Sequence, residues 1–172
     1  MPKQNAVAEN LSASIHHHVV AEIVVHDMNY FEILRLPIAY NIDVDLMTRN
    51  YFSLQRSSEN SVDSGVLNEA YNVLKNDIRR AEYFLSLKNV STETMSAELS
   101  VKMFEMREKY AALENDEDKI AFQNQIKKKK KEMTLLLKKS ENDLAKFSEI
   151  FSELKFLNSF LEKERADVYG RN

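Results

Sequence analysis

Few residues in this chain have the types and spacing that a catalytic or metal-binding site requires. Three adjacent histidines, His16 to His18, stand out, but adjacent side chains point in different directions on a helix or a strand, so a native metal site is the minor alternative to a plain tail. The sequence has no cysteine, which removes thiolate nucleophiles, disulfides and Cys-ligated metals. No Ser/His/Asp or Cys/His arrangement stands out, and the carboxylates fall on predicted exposed helix faces. We therefore predict no catalytic residue, no metal, no cofactor and no enzyme activity, but a protein that binds other proteins.

The one block of like charge is a lysine run, Lys127 to Lys131, followed by Lys138 and Lys139. Such a run is usually a solvated helix face, with the apolar stems of Lys129 and Lys130 along the edge of the core and their ammonium groups in water. Binding to nucleic acid or to acidic lipid is the alternative, and a steep dependence on salt would be its signature.

Two phenylalanines fall outside the apolar stripes of their predicted helices. In the helix predicted over residues 95–114, Phe104 lies about 140° from the stripe that includes Met103 and Met106, and Phe156 lies opposite the stripe of the last helix. Single exposed apolar side chains are normal, and these two could instead pack against the N-terminal module. The other interpretation is a partner site, because an aromatic anchor with a polar rim is typical of protein-binding surfaces. The residues of that candidate site are Val101, Phe104, Glu105, Arg107, Glu108 and Phe156.

The elements that must position these residues are helices. The chain has only two Gly and two Pro, and its apolar residues recur at spacings of three and four. Asp43 is placed to cap a helix that starts near Val44, and a polar loop over residues 56–65 separates it from a second apolar stripe that runs from Leu67 to about Lys88.

The C-terminal half shows three longer amphipathic patterns after a polar connection at residues 89–94. They predict an antiparallel bundle over residues 95–168, in which the Ser-x-x-Asp spacing from Ser140 to Asp143 caps the last helix. We therefore expect an all-α chain in three parts. These are a poorly ordered extension at 1–27, a small domain at 28–89 and the bundle at 95–168. Met28 reads as a natural start, so we expect residues 1–27 to come from a misplaced start codon, which mass spectrometry of the native protein would test.

The composition narrows the class of partner. The formal net charge is −3 and the pI is near 5.9, which argues against nucleic acid because phosphate contacts need a basic footprint. No apolar run approaches the roughly 20 residues that cross a bilayer, so we also expect no membrane partner. The lack of cysteine suits a reducing compartment, and we expect a cytoplasmic protein.

From residue 28 onward the chain resembles the HscB-type J-domain co-chaperones of iron–sulfur cluster assembly. The Arg-Ala-Glu-Tyr-x-Leu-Ser-Leu segment at 80–87 is the most specific part of this resemblance. The other matching stretches are Asn-Tyr-Phe-Glu-Ile-Leu-Arg-Leu-Pro at 29–37, Tyr-Phe-Ser-Leu-Gln-Arg at 51–56, Leu-Asn-Glu-Ala-Tyr at 67–71 and Leu-Lys-Phe-Leu at 154–157.

The resemblance implies an N-terminal J-domain that stimulates a DnaK-type (HscA-like) chaperone and a C-terminal bundle that binds the iron–sulfur scaffold protein (IscU-like). In the family the scaffold site is an apolar and acidic surface on the first and third bundle helices. The matching residues here are Phe104, Glu105, Arg107 and Glu108 on the first helix and Phe156 on the third. Ser100 stands where the family tends to have a larger apolar residue, which weakens that edge of the surface.

The J-domain departs from the family pattern. After Leu-Gln-Arg the family continues through a His-Pro-Asp loop, whereas Arg56 is followed here by Ser-Ser-Glu-Asn-Ser-Val-Asp-Ser-Gly. In the family this tripeptide couples the J-domain to the chaperone ATPase. Arg49, Gln55 and Arg56 could still form a weak basic docking face. The sequence thus predicts a shortened N-terminal J-domain and a C-terminal three-helix bundle, in a co-chaperone with impaired ATPase stimulation. The alternative is a helical adaptor that only binds or sequesters a client.

Overall fold

The structure is a computed structural model that describes residues 28–57, 62–92 and 96–169, with side chains to residue 164. Within those ranges the chain forms seven α-helices and no β-strand. The helices are α1 (Tyr30–Ile33), α2 (Val44–Arg56), α3 (Ser64–Lys75), α4 (Asp77–Leu87), α5 (Ala97–Ala111), α6 (Asp116–Lys139) and α7 (Leu144–Tyr169). Packing divides the described residues into two compact units, with 28–38 and 42–75 in the first and 39–41 and 76 onward in the second. The extension predicted at 1–27, with His16 to His18, lies outside the described residues.

Side-chain caps begin the helices of the first unit. Asn29 and Glu32 form a capping box, in which each side chain accepts a hydrogen bond from the other's backbone N–H. Asp43 accepts one from the N–H of Leu46 at 2.8 Å, which confirms the predicted cap of α2. Asp63 accepts bonds from the first N–H groups of α3. These caps satisfy backbone donors that a helix start leaves unpaired.

The three helices of the first unit enclose a small apolar core. Its buried members are Phe31, Ile33, Leu34, Leu36, Met47, Leu54, Leu67, Ala70, Val73 and Leu74. Tyr51 of α2 stacks on Tyr71 of α3 with ring centroids 4.2 Å apart. Val44, in the first turn of α2, is 43% exposed.

The continuous apolar stripe predicted from Leu67 to Lys88 is broken at Asn76. Its side chain accepts hydrogen bonds from the N–H groups of Ile78 and Arg79 at 3.0 and 3.1 Å, so α3 ends and a new helix, α4, begins. Asn competes with helix continuation through such local bonds. By packing, α4 lies in the second unit. The predicted domain limits themselves stay a prediction.

The core of the second unit is centred on α7. Its buried members are Tyr40, Ala81, Phe84, Leu85, Ile126, Met133, Leu137, Phe147, Ile150, Phe151, Leu154, Phe156, Leu157, Phe160 and Leu161. The helices α6 and α7 run antiparallel. Phe122 near the start of α6 packs on Phe160 of α7, whereas Lys129, further along α6, pairs with the earlier Glu153. Such packing against an apolar face supplies most of the stability of a helix in a protein.

The turn between α6 and α7 differs from the predicted capping. Ser140 ends α6, with its N–H bonded to the carbonyl oxygens of Leu136 and Leu137. Asp143 is the residue that caps α7, accepting a hydrogen bond from the N–H of Lys146 at 3.1 Å. The Ser-x-x-Asp spacing therefore marks the end of one helix and the start of the next, and the expectation that Ser140 caps α7 is wrong.

Candidate partner-binding surface

The outer face of α5 carries an exposed apolar pair. Val101 is 56% and Phe104 is 62% exposed, and their spacing of three residues makes them neighbours on the helix. On the opposite side, Met103, Met106 and Tyr110 are half-buried against the core of the second unit. The helical wheel therefore assigned the two faces of α5 correctly, and Phe104 is available for a partner.

Phe156 does not join that exposed face. Its side chain is 7% exposed and belongs to the core of the second unit, so the expectation that it points outward is wrong. The guanidinium of Arg107, on α5, lies over its ring at 5.4 Å, within the range of a cation–π contact. Phe156 is buried because α7 packs against α4, α5 and α6 through different sides, so residues off its main stripe are also buried.

Some charged side chains around Phe104 contact other side chains of the protein, and others form no ion pair in the described residues. Glu105 and Glu108 are exposed and form no ion pair in the described part of the chain. Arg107 is exposed but rests on Phe156. Lys102 and Glu98 pair one turn apart at 2.7 Å, and this contact lowers the pKa of the Glu98 carboxyl. Phe104 thus stands beside two carboxylates that are free to meet cations or backbone donors on a partner.

Contacts at the other end of α5 hold it to the bundle. The Tyr110 hydroxyl accepts a hydrogen bond from the amide of Gln123 at 2.7 Å, and its ring meets Phe160 edge-on at 5.2 Å. Partial burial raises the pKa of Tyr110, which keeps its hydroxyl protonated well above neutral pH. The surface around Phe104 is thereby supported from behind by aromatic contacts.

The three residues predicted to dock a chaperone lie on α2, in the first unit. Arg49 and Arg56 border a shallow groove together with Phe52, which is 45% exposed. Gln55 is exposed, but its amide donates hydrogen bonds to the Tyr51 hydroxyl at 2.6 Å and to Asn68 of α3 at 3.4 Å. The structure therefore brings the two arginines together beside an aromatic ring, whereas Gln55 serves the packing of α2 on α3.

Phe52 is the member of this groove that the sequence reasoning missed. The signal was the aromatic pair Tyr51-Phe52, because two adjacent side chains on a helix are about 100° apart and cannot both face one neighbour. Tyr51 takes the inward place against Tyr71, which leaves Phe52 on the side of Arg49.

In the described ranges, no group of three or more His, Cys, Asp or Glu side chains is placed to hold a metal ion. None of the helices described is both long and apolar enough to span a membrane. The residues predicted to bind partners lie on two solvent-facing surfaces, one on α2 and one on α5.

Comparison with known proteins identifies the kind of protein that has this fold. No protein-family model matches the chain. Three solved structures share its fold. Chaperone HscB from Vibrio cholerae matches with a TM-score of 0.65 and 24% identity over 83% of this chain and 99% of that one. Human co-chaperone HscB matches with a TM-score of 0.69 and 20% identity over 82% of each chain. The Jac1 co-chaperone from Saccharomyces cerevisiae gives a TM-score of 0.65 with 20% identity, over 79% of this chain and 96% of the other.

The fold is thus that of a helical co-chaperone, with an N-terminal J-like domain followed by a C-terminal helical bundle, as predicted. A co-chaperone HscB homologue of Shewanella amazonensis is 30% identical over an alignment that covers 81% of this chain and 97% of the relative. A Vibrio cholerae HscB homologue is 33% identical over 47% of this chain and 56% of its own length. The chain belongs to the HscB co-chaperone family.

Proposed function

We propose that this protein is a cytoplasmic co-chaperone of iron–sulfur cluster assembly that binds the cluster scaffold protein through the outer face of α5 and presents it to a DnaK-type chaperone. Its work is binding, not catalysis. The observation that carries the proposal is the exposed Val101–Phe104 pair beside the unpaired carboxylates of Glu105 and Glu108. Membership of the HscB family supplies the co-chaperone role.

Phe104 is the anchor of the proposed scaffold site. A large apolar side chain with 62% exposure loses its contact with water when a partner covers it, and anchors of this kind dominate interface energies. Phe156 acts from behind the surface, since its ring supports the guanidinium of Arg107 beside the anchor. We therefore assign Phe156 a positioning role in place of direct contact.

The proposed chaperone face is the α2 surface around Arg49 and Arg56. Their cationic groups and the exposed ring of Phe52 suit an acidic partner surface with an apolar spot. The sequence contains no His-Pro-Asp tripeptide, the element that the family resemblance ties to ATPase stimulation. We propose that docking is retained but that stimulation is weak.

Replacing Phe104 tests the scaffold site. We expect Phe104→Ala to weaken binding of purified scaffold protein by at least about thirtyfold, equivalent to about 2 kcal/mol for loss of an aromatic anchor. Isothermal titration calorimetry of the full chain would measure it. Because the side chain is solvent-facing, the variant should fold normally, which its circular-dichroism melt would check.

Ile120→Ala is the matched control for that test. Ile120 on α6 is 57% exposed, a fraction close to that of Phe104, but it lies outside the proposed site. Its replacement should leave scaffold affinity within about twofold. Equal losses in the two variants, or unchanged affinity of Phe104→Ala, would contradict the site on α5.

The second candidate function is a non-stimulating adaptor that holds a client without driving a chaperone cycle, and the absence of His-Pro-Asp favours it. The two functions differ in the ATPase rate of a DnaK-type chaperone measured with scaffold present. Weak stimulation that disappears in an Arg49→Ala/Arg56→Ala variant supports the co-chaperone. A flat rate together with retained scaffold binding supports the adaptor.

A further inference from the structure

The outward face of α6 carries a cluster of lysines around one exposed leucine, unrelated to the surfaces on α2 and α5. Leu135 is 58% exposed, and the neighbouring Leu136 is 43% exposed. Positions three, four and seven residues from Leu135 share its side of the helix. Within α6 they are Lys128, Lys131, Lys138 and Lys139 and one carboxylate, Glu132, all of which are exposed. We call these four lysines and Leu135 the lysine face.

Glu132 offsets one of the four positive charges of the lysine face, which leaves a net charge of +3. None of its four lysines forms an ion pair in the described ranges, whereas Lys129, on the flank of the helix, pairs with Glu153. Glu132 is the one carboxylate in α6 between residues 119 and 139. Across the adjoining groove, Glu162 accepts a hydrogen bond from Asn158. The concentrated positive charge therefore faces solvent, where an anionic partner can approach it.

The types of residue on this face distinguish between anionic partners. Protein interfaces are depleted of lysine and enriched in arginine and aromatic residues, and single-stranded nucleic acid is bound with aromatic stacking platforms. The lysine face has neither arginine nor an aromatic ring. Lysine clusters on a helix, with an apolar side chain that can enter the acyl boundary, suit the surface of an anionic bilayer.

The geometry of α6 also fits a flat partner. The stretch from Lys128 to Lys139 spans 12 residues, about 18 Å of helix, and the four lysines of the lysine face lie on one side of it. The buried side of the same stretch, with Met133 and Leu137, is fixed in the core of the second unit. The face is thus a rigid row of charges and needs no folding upon contact.

We propose that the lysine face adsorbs the protein peripherally to membranes that contain anionic lipids, with Leu135 entering the headgroup region. This revises our expectation that the protein has no membrane partner. Adsorption requires no spanning helix, and it does not depend on the proposed scaffold site, because the residues of the two surfaces are separate.

Vesicle co-sedimentation of the full chain tests the proposal. Phosphatidylglycerol/phosphatidylcholine vesicles should bind the protein at low salt, and pure phosphatidylcholine vesicles should not. Each lysine near an anionic surface contributes about fivefold in affinity, so Lys128→Gln/Lys131→Gln/Lys138→Gln should lose on the order of a hundredfold. Leu135→Ser should lose several-fold with the salt dependence unchanged, because it removes an apolar contact and no charge.

The matched control is Lys102→Gln/Lys109→Gln/Lys146→Gln, which removes the same net charge from exposed positions on α5 and α7. It should keep most of the affinity for anionic vesicles. Equal losses in the two triple variants would overturn the proposal in favour of a net-charge effect. Binding to pure phosphatidylcholine vesicles as strong as to anionic vesicles would overturn it too. So would stronger binding to poly-glutamate or single-stranded DNA than to anionic vesicles, if Leu135→Ser left that binding unchanged.

Discussion

The Tyr40 side chain is buried in the second unit, and its hydroxyl makes no hydrogen bond of good geometry with the described residues. Its backbone oxygen accepts a bond from Arg80 Nε at 2.9 Å, and the Arg80 guanidinium lies 5.0 Å from its ring. Burial, with a smaller effect of Asp77, raises the pKa of Tyr40 to about 12, against the opposing influence of Arg80. The hydroxyl is therefore held in its neutral form.

Tyr40→Phe should change the pH dependence of stability. At pH 8 we expect a free energy of unfolding within about 0.5 kcal/mol of the wild type, because no well-formed hydrogen bond is lost. Between pH 10 and about 12 the unfolded chain loses the phenolic proton while the folded chain keeps it, so the wild type is destabilised as pH rises. Tyr40→Phe has no phenolic proton at this position, so its free energy of unfolding does not decrease for this reason. Urea unfolding of the two proteins at pH 8 and pH 11 would measure the difference, and parallel decreases would contradict it.

Arg80 explains why one short segment revealed the family. The segment at 80–87 contains Arg80, Ala81, Phe84 and Leu85, all at most 2% exposed. A buried arginine requires defined acceptors, which here are the Tyr40 carbonyl oxygen and the carboxylate of Asp77. Few residue types satisfy such a position, so the packing of Arg80 accounts for the specificity of the segment.

Residue spacing predicted the exposure of only one of the two phenylalanines of the candidate site. Phe104 lies on a helix with a single inward stripe, so its exposure followed from spacing alone. Phe156 lies on α7, which is buried on several sides, and a stripe defined by Leu154 and Phe151 gave the wrong side. A helix that is apolar over most of its circumference has no unique outward direction that periodicity can show.

Among the elements, α5 is the least anchored helix of the bundle. It contributes no fully buried residue, whereas α6 contributes Ile126, Met133 and Leu137. Its attachment depends on half-buried Met103 and Met106 and on the Tyr110 contacts with Gln123 and Phe160. Local stability follows buried contact, and binding surfaces on weakly anchored elements can adjust to a partner.

Hydrogen exchange should resolve this difference. We expect amides of α5 to exchange at least about tenfold faster than those of α6 and α7, because opening α5 exposes little apolar surface. Peptide-level mass spectrometry of the full chain would measure it. Tyr110→Phe, which loses the hydrogen bond from Gln123, should speed exchange in α5 more than in α7. Uniform protection across the three helices would show that α5 opens only with the whole unit.

Helix boundaries were predictable where a capping side chain precedes a clear stripe and not where the stripe continues. Asp43 marked the start of α2 correctly. Asn76 was missed because Leu74 and Ile78 keep helical spacing on either side of it, although its side chain begins a new helix. The assignment of α4 to the second unit depends on contacts with α7 and with Tyr40, both distant in sequence, and no local pattern contains that information.

In the whole chain, the second unit is assembled from two separate stretches of sequence. Residues 39–41 lie between segments of the first unit but pack with residues from 76 onward. Glu141, in the turn between α6 and α7, accepts hydrogen bonds from the N–H groups of Tyr40 and Asn41 at 2.9 and 3.1 Å. One carboxylate thus joins positions about a hundred residues apart, a long-range contact that no local helical pattern shows.

Glu141→Ala should therefore destabilise the second unit beyond a normal surface change. Both N–H groups would lose a charged acceptor, and we expect a loss of about 1–3 kcal/mol in the free energy of unfolding. Glu141→Gln keeps one carbonyl oxygen and should lose about half as much. Glu149→Ala, at an exposed position of α7, is the matched control and should stay within about 0.5 kcal/mol of the wild type. Denaturant unfolding of the three variants would measure these values. If the two alanine variants were equally stable, the hydrogen bonds from residues 40 and 41 would contribute nothing to holding the connecting segment in place, and the burial of Tyr40 alone would have to account for it.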